Sequence, residues 1–279
     1  MDTVGPVLMS CTNTIAMDTN LDIMPVLVSQ KPIGSGSFSR VYKAKYKNKI
    51  IALKRSRDLK WNNFFKIEAE ILKQLSHKNI VSFFDYMEYN SCGSIICMEY
   101  YAHKSLGVHL KGGVFEEKSI LIFLPQIISA LEYAHSKLIA HHDIKPDNIL
   151  VNEKDGTIKL IDWGLSVQTK TSNDMVEHFN GSPLYLPPEV IMRIPYNPFQ
   201  CDLWQLGITL YELAYNSPLH QSKTYDCLVK EILTFKIPVF IDEVQSLSLK
   251  FKNVIVDLLQ QKPDKRITLK NMKITLSHD

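Results

Sequence analysis

From Val26 the chain alternates short apolar runs with turn residues. VLVSQKPI, RVYKAKY and KIIALKR are rich in β-branched and aromatic residues and predict successive strands of an antiparallel meander. Between Asn62 and Ser76 the spacing changes: Phe65, Ile67, Ala69, Leu72 and Leu75 sit among good helix formers and predict one helix. Two more strand-like runs follow, IVSFFDYM and SIICMEYY. Beyond Ala102 the texture turns helical. Ile120, Phe123, Leu124, Ile127, Ile128, Leu131 and Ala134 recur at spacings of three and four and predict a buried helix. Pro125 falls inside that stripe, where it is expected to remove one backbone bond and bend the helix unless the helix starts later. Further helices are predicted around Gln205 to Ala214 and Leu249 to Gln260. Residues 1–25 have no clear period and predict an extension that frays or drapes over the main domain.

Composition narrows this little. The 279 residues amount to about two domain units, and 45% hydrophobic with 22% charged residues excludes a disordered tail, a collagen-like repeat and a disulfide scaffold. With 32 basic against 29 acidic residues the charge of +3 is too balanced to indicate direct nucleic-acid binding or a membrane surface. Five cysteines, Cys11, Cys92, Cys97, Cys201 and Cys227, contain no CxxC pair and read as reduced thiols of an intracellular protein, in cytoplasm or nucleus. The first basic residue is Lys31, after Asp2, Asp18 and Asp22, so neither a signal peptide nor a membrane anchor is expected.

Candidate chemistry lies in four places. Gly34, Ser35, Gly36, Ser37, Phe38 and Ser39, followed by Val41, form a turn between strands whose backbone N–H groups can approach phosphate oxygens; the plain reading is a Gly/Ser hairpin. Lys54 closes the apolar strand Ile51-Ala52-Leu53, either as an edge residue with its head in water or as a fixed charge reaching those phosphates. The segment from His141 to Asn148 is polar and flanked by apolar stretches. Within it Asp143 can accept a hydroxyl proton, Lys145 can neutralise a phosphoryl group and Asn148 offers a neutral oxygen to a hard cation. A strand then delivers Asp162 before Trp163 and Gly164, a second oxygen ligand. Oxygen donors without a His or Cys cluster favour Mg²⁺ over zinc.

In order, GSGSFSRV, IALK, HHDIKPDN, IDWG and GSPLYLPPE resemble the protein kinase family over about Val26 to Leu276. The resemblance implies an α+β, bilobal protein-kinase fold: an antiparallel five-stranded N-lobe with one main helix (26–99), a hinge (99–102) and a mainly helical C-lobe (103–276), with ATP between the lobes. It implies that the Gly-rich loop, Ala52, Met98 and the hinge residues Glu99 and Tyr101 receive ATP. Lys54 would hold the α- and β-phosphates, Asp143 would be the base, and Asn148 and Asp162 would bind Mg²⁺. Glu68 is chosen over Glu70 as the partner of Lys54, because it stands nine residues before His77. Asp202 to Gly207 looks like the helix that anchors the catalytic loop, and Glu189 of Pro187-Pro188-Glu189 is expected to pair with Arg266. Lys145 and Gly181 to Tyr185 resemble Ser/Thr rather than Tyr kinases. The implied activity is transfer of the γ-phosphoryl of Mg-ATP to protein Ser or Thr. The alternatives are a pseudokinase scaffold on the same fold, which typically lacks one of Lys54, Asp143, Asn148 and Asp162, and a small-molecule phosphotransferase.

Two departures carry expectations of their own. His142 stands where the family has an arginine that clamps a phosphorylated activation loop, so activity without phosphorylation of Thr169, Thr171 or Ser172 is expected. Trp163 replaces the usual phenylalanine and is expected to fill a slot beside Leu72 and His141, with an indole N–H that wants a partner. HHD, DWG and the compact core also resemble kinases of large DNA viruses, baculoviruses among them. That implies work in the infected host cell on basic virion or late-gene-expression proteins, to which Asp147 would contribute.

Overall fold

The computed structural model describes residues 24–89, 93–178, 180–234 and 247–277. The expected extension lies outside the described residues except for Met24 and Pro25, as do Cys11 and Cys92. The chain folds as two compact units, one on the chain up to Ser76 and over Val81–Ala102, the other on His77–Ile80 and His103 onward.

The first unit is an antiparallel sheet with a single α-helix. Strands β1 (Val26–Leu27), β2 (Gly34–Ser35), β3 (Ser39–Tyr46), β4 (Lys49–Ser56), β5 (Phe83–Tyr89) and β6 (Gly93–Glu99) run in the order β1-β3-β4-β6-β5, with β2 also on β3. The five predicted strand positions are thus present, the first split in two. Pro32 cannot donate to the ladder, and pairing resumes at Ile33, whose N–H meets Val41 O at 2.8 Å. Lys47 and Asn48, both at positive φ, make the tight turn between β3 and β4. Helix α1 (Asn62–Gln74) buries Phe65, Glu68, Ala69, Ile71 and Leu72. Ile67, expected on that face, is instead exposed, because a residue two after Phe65 and one before Glu68 points away from both.

Cross-strand register sorts the sheet's side chains onto two faces. Gly34 faces Val41, Val41 faces Lys54, and Ala52 faces Met98, so these residues share one side. The other carries Leu53, Ile95 and Cys97 within an apolar cluster, and Arg40 and Arg55 toward one end.

The second unit is mainly helical. It comprises β7 (Lys104–Ser105), α2 (Leu106–Leu110), α3 (Glu117–Ser136), β8 (Ile139–Ala140), β9 (Ile149–Val151), β10 (Ile158–Leu160) and β11 (Val167–Gln168). Helices α4 (Pro188–Ile191), α5 (Pro198–Tyr215), α6 (Tyr225–Thr234), α7 (Leu249–Leu258) and α8 (Leu269–Ser277) follow. Pro125 stays inside α3, which starts earlier than predicted, and its ring is exposed. Every residue from Cys201 to Ala214 of α5 is buried, so this helix is the centre of the unit rather than an amphipathic surface element. His77–Ile80, predicted as N-lobe, belong here: Leu160 N–H donates to Asn79 O at 2.8 Å and Asn79 Nδ2 to Ile158 O at 3.0 Å.

Cys97, Cys201 and Cys227 are free thiols, and burial pushes Cys97 up to about 12. Among the described residues no helix is long and apolar enough to cross a membrane.

Candidate active site

In the first unit, Lys54 projects from β4 beside Val41, Ala52 and Met98. Its ammonium meets both oxygens of Glu68, at 2.6 and 2.7 Å, with both side chains buried. Glu70 is exposed. Glu99 ends β6, with its N–H donating to Ser82 O at 2.8 Å and its carboxylate accepting from the Ser82 N–H and hydroxyl; Tyr101 follows it, half-buried. At the Gly-rich turn, Gly36 N–H donates to Ser39 O at 3.0 Å. Arg57 donates to Gly36 O at 2.9 Å and to the Ser35 hydroxyl at 2.7 Å. The Phe38 ring lies 4.5 Å from Trp61, and Ser37 sits at the exposed tip.

In the second unit, Asp202 of α5 builds the loop that carries Asp143. Its carboxylate accepts the N–H of His141 at 2.9 Å and of His142 at 2.7 Å, and contacts His135 Nε2 at 2.8 Å. These donors hold its pKa below the usual carboxylate value although burial opposes them. Gln205 accepts from Ile144 N–H and donates to His142 O.

Asp143 then becomes a hub. Its Oδ2 accepts from Lys145 Nζ at 2.7 Å and Asn148 Nδ2 at 2.9 Å, while its Oδ1 accepts from the Ser182 hydroxyl at 2.7 Å. Lys145 also donates to Ser182 at 2.7 Å. Because the Asn148 amide nitrogen is spent on Asp143, its Oδ1 accepts no hydrogen bond among the described residues and is left as an oxygen donor. Pairing of β9 with β10, extended by Ile161 N–H to Asn148 O at 2.9 Å, puts Asp162 beside it. Asp162 has a left-handed backbone, φ 63°. Two oxygen donors at one place, with no group of three His, Cys, Asp or Glu among the described residues, fit Mg²⁺ completed by nucleotide phosphates.

Trp163 is fully buried, its ring 4.6 Å from that of His141 at 60°. Its indole N–H has no partner among the described residues, contrary to expectation. His142 is also buried, and desolvation lowers its pKa to about 4, so it is neutral. Its Nε2 meets Tyr196 Oη at 2.6 Å, the two rings stack, and the Tyr196 hydroxyl donates to His178 O. Tyr196 and Val176 exchange both backbone bonds, at 2.8 and 3.1 Å. Asn197 Nδ2 donates to Ser172 O at 2.7 Å, and Asp174 caps the turn at Lys170 and Thr171.

Three residues that sequence reasoning left without a role thus enter. Ser182 lay in a quoted motif but nothing local tied it to Asp143. Tyr196 had no signal, and neither had Glu212, which accepts from Tyr185 Oη at 2.5 Å and which burial raises to about 7. Further out, Glu189 meets Arg266 in a buried two-bond pair at 2.6 and 2.8 Å.

The protein kinase domain family matches residues 27–277. Serine/threonine-protein kinase 36 of Pongo abelii is 36% identical over 242 residues, which is 85% of this chain and 18% of that protein. Serine/threonine-protein kinase ULK3 of Xenopus laevis is 33% identical over 245 residues, 85% of this chain and 52% of its own length. An Aurora kinase of Debaryomyces hansenii is 34% identical over 252 residues, covering 86% and 58%. The chain therefore spans from about a fifth to a little over half of these relatives. With nearly all of its described fold inside the family match, the chain belongs to the protein kinase domain family.

Proposed function

We propose that this chain transfers the γ-phosphoryl of ATP, with Mg²⁺, to serine or threonine of proteins, and does so without phosphorylation of its activation segment. The observation that carries the reading is the set Asp143, Lys145 and Ser182: a carboxylate and an ammonium already share a hydroxyl oxygen at 2.7 Å. A substrate hydroxyl in the place of Ser182 gives its proton to Asp143 as its oxygen bonds the γ-phosphorus and ADP leaves. Lys145 balances the charge on the transferring group. Lys54, fixed by both oxygens of Glu68, serves the α- and β-phosphates, and Val41, Ala52 and Met98 present an apolar face to adenine. Glu99 and Tyr101 offer backbone bonds to the base, and Gly34 to Ser39 cover the phosphates. Asn148 and Asp162 hold Mg²⁺, which when bound neutralises phosphate charge.

Independence from phosphorylation is supported by His142. A neutral, buried imidazole bonded to Tyr196 cannot serve as a phosphate clamp, and the segment is already tied down by Tyr196, Asn197 and Asp174. Basic substrates are supported by Asp147, whose charge contributes to raising the Glu212 pKa: two carboxyl groups beside Tyr185 suit a cationic side chain. The resemblance to kinases of large DNA viruses would make basic virion proteins the substrates in an infected cell.

The test is transfer of labelled γ-phosphate to a panel of basic and acidic proteins. Asp143→Asn should lose at least about 100-fold in rate with ATP still bound, and alanine at Thr169, Thr171 and Ser172 together should leave activity within about twofold. No transfer by the wild type with ATP bound would favour a scaffold role, and loss of activity in the folded triple variant would end the phosphorylation-independent reading.

A further inference from the structure

Arg40, Tyr42, Arg55, Ser56 and Arg57 line a cavity of about 250 Å³, with Arg40, Tyr42 and Arg55 on the face of the β3–β4 hairpin away from Lys54. Register makes the crowding of charge unavoidable. Arg40 and Arg55 are direct cross-strand partners, an arrangement in which like charges are destabilising, and Arg57 continues the same edge. No carboxylate among the described residues pairs with any of the three. Asp58, the nearest in sequence, caps Lys60 N–H, and Asp85 is engaged by Tyr46 and Lys47. Among the described residues the Arg57 guanidinium bonds the neutral oxygens of Ser35 and Gly36.

Ser56 backs the cavity rather than reaching into it: two residues after Lys54 in β4, its side chain lies on the Lys54 face. The residue is only 4% exposed, and its oxygen accepts from Ser94 N–H at 2.9 Å. Gly93, at φ 90°, leaves the room that Ser56 occupies: a Cβ there would run into the Ser56 oxygen. Three guanidinium groups and a phenol offer donors to the cavity. Guanidinium forks match the paired oxygens of phosphate, and a dianion offsets the repulsion between Arg40 and Arg55.

We propose that this cavity is a binding site for a phosphate monoester, held by Arg40 and Arg55, and that Arg57 couples its occupancy to the Gly-rich turn. Arg57 reaches the turn at Ser35 and Gly36 from the cavity wall, so an anion that draws its guanidinium inward loosens both bonds to the turn. The coupling to nucleotide rests on the proposed kinase reading; binding in the cavity does not. Phosphoserine on a protein and free phosphate share the required chemistry.

The full chain is titrated calorimetrically at fixed ionic strength with inorganic phosphate, with a phosphoserine peptide and with its unphosphorylated form, using wild type and the Arg40→Ala, Arg55→Ala double variant. Saturable one-site binding of a phosphorylated ligand, weakened at least tenfold in the double variant, supports the site. Stronger binding of the peptide than of phosphate assigns a protein-borne source, and equal binding assigns free phosphate. Binding of nucleotide to the double variant, measured in the same way, should match wild type and shows that the variant is folded. Coupling is read as a shift in wild-type nucleotide affinity at saturating phosphate that disappears in Arg57→Gln. Absence of saturable binding, or equal binding by the folded double variant, overturns the site, and an unshifted nucleotide affinity overturns the coupling; neither outcome touches the kinase reading, which phosphoryl transfer tests.

Discussion

His142 holds a left-handed backbone, φ 67°, in the interior of its unit, a conformation costly for a non-glycine residue unless its surroundings impose it. Asp202 does so by taking the N–H groups of His141 and His142 on its two oxygens. The ring is neutral because burial lowers its pKa from 6.5 to about 4. The folded value lies below the unfolded one, so the unfolded chain takes up the proton first as pH falls. Stability is therefore full above about pH 6.5 and declines toward pH 4. Urea midpoints across that range should fall in the wild type and fall less steeply in His142→Gln. Tyr196→Phe removes the hydroxyl between His142 and His178 O and should lower kcat about tenfold, from a lost buried hydrogen bond worth about 1.5 kcal/mol. As a positioning effect it should leave KM for ATP nearly unchanged, while the lost hydrogen bond lowers the melting temperature. Glu212 works in the opposite sense. With a pKa near 7 it is neutral below that pH and anionic above it, so preference for a basic over a neutral peptide should rise between pH 6 and 8 and lose its pH dependence in Glu212→Gln.

At the scale of elements, α5 concentrates the most consequences. It begins with Asn197 capping Phe199 N–H, ends at Asn216 with φ 49°, and carries Asp202, Gln205, Thr209 and Glu212 toward the Asp143 loop and Tyr185. Gly207 is where the helix comes closest to α7: a Cβ would stand 2.8 Å from Leu259 and 2.9 Å from Leu258. Gly207→Ala should therefore destabilise the protein by about 1 to 3 kcal/mol despite alanine's better helix propensity, read as a lowered denaturant midpoint at unchanged slope. The apolar stripe of α3 and the strands β3 and β4 of an antiparallel meander were legible from spacing. The split of the first strand was signalled only by Pro32, and the exposure of Ile67 was hidden because helix formers alone do not say which arc of a helix is covered.

Across the second unit, the Glu189–Arg266 pair ties the end of the activation segment to the chain beyond α7, with Arg266 also donating to Gln200 O and Gln260 O and lying 5.1 Å over Trp204. Arg266→Ala would leave the Glu189 carboxylate buried without its cation and should cost about 3 to 5 kcal/mol, measured as loss of cooperative folding strength in urea. The sequence by itself determined the family, the strands and single helix of the first unit and the long helices α3, α5 and α7 of the second, and it singled out the residues whose proposed chemistry is local: the Gly-rich turn, Lys54, the Asp143–Lys145–Asn148 loop and Asp162, all within short motifs. Spacing within one helix also separated Glu68 from Glu70. Only the tertiary structure decided the contacts that join distant segments, because no local pattern encodes them. Ser182 reaches Asp143 across 39 residues, Tyr196 reaches His142 across 54, and Tyr185 reaches Glu212 across 27. The arginine cavity has the same origin: Arg40 and Arg55 become neighbours only when the register of β3 on β4 is set, and that register is chosen by which face of each strand must be buried.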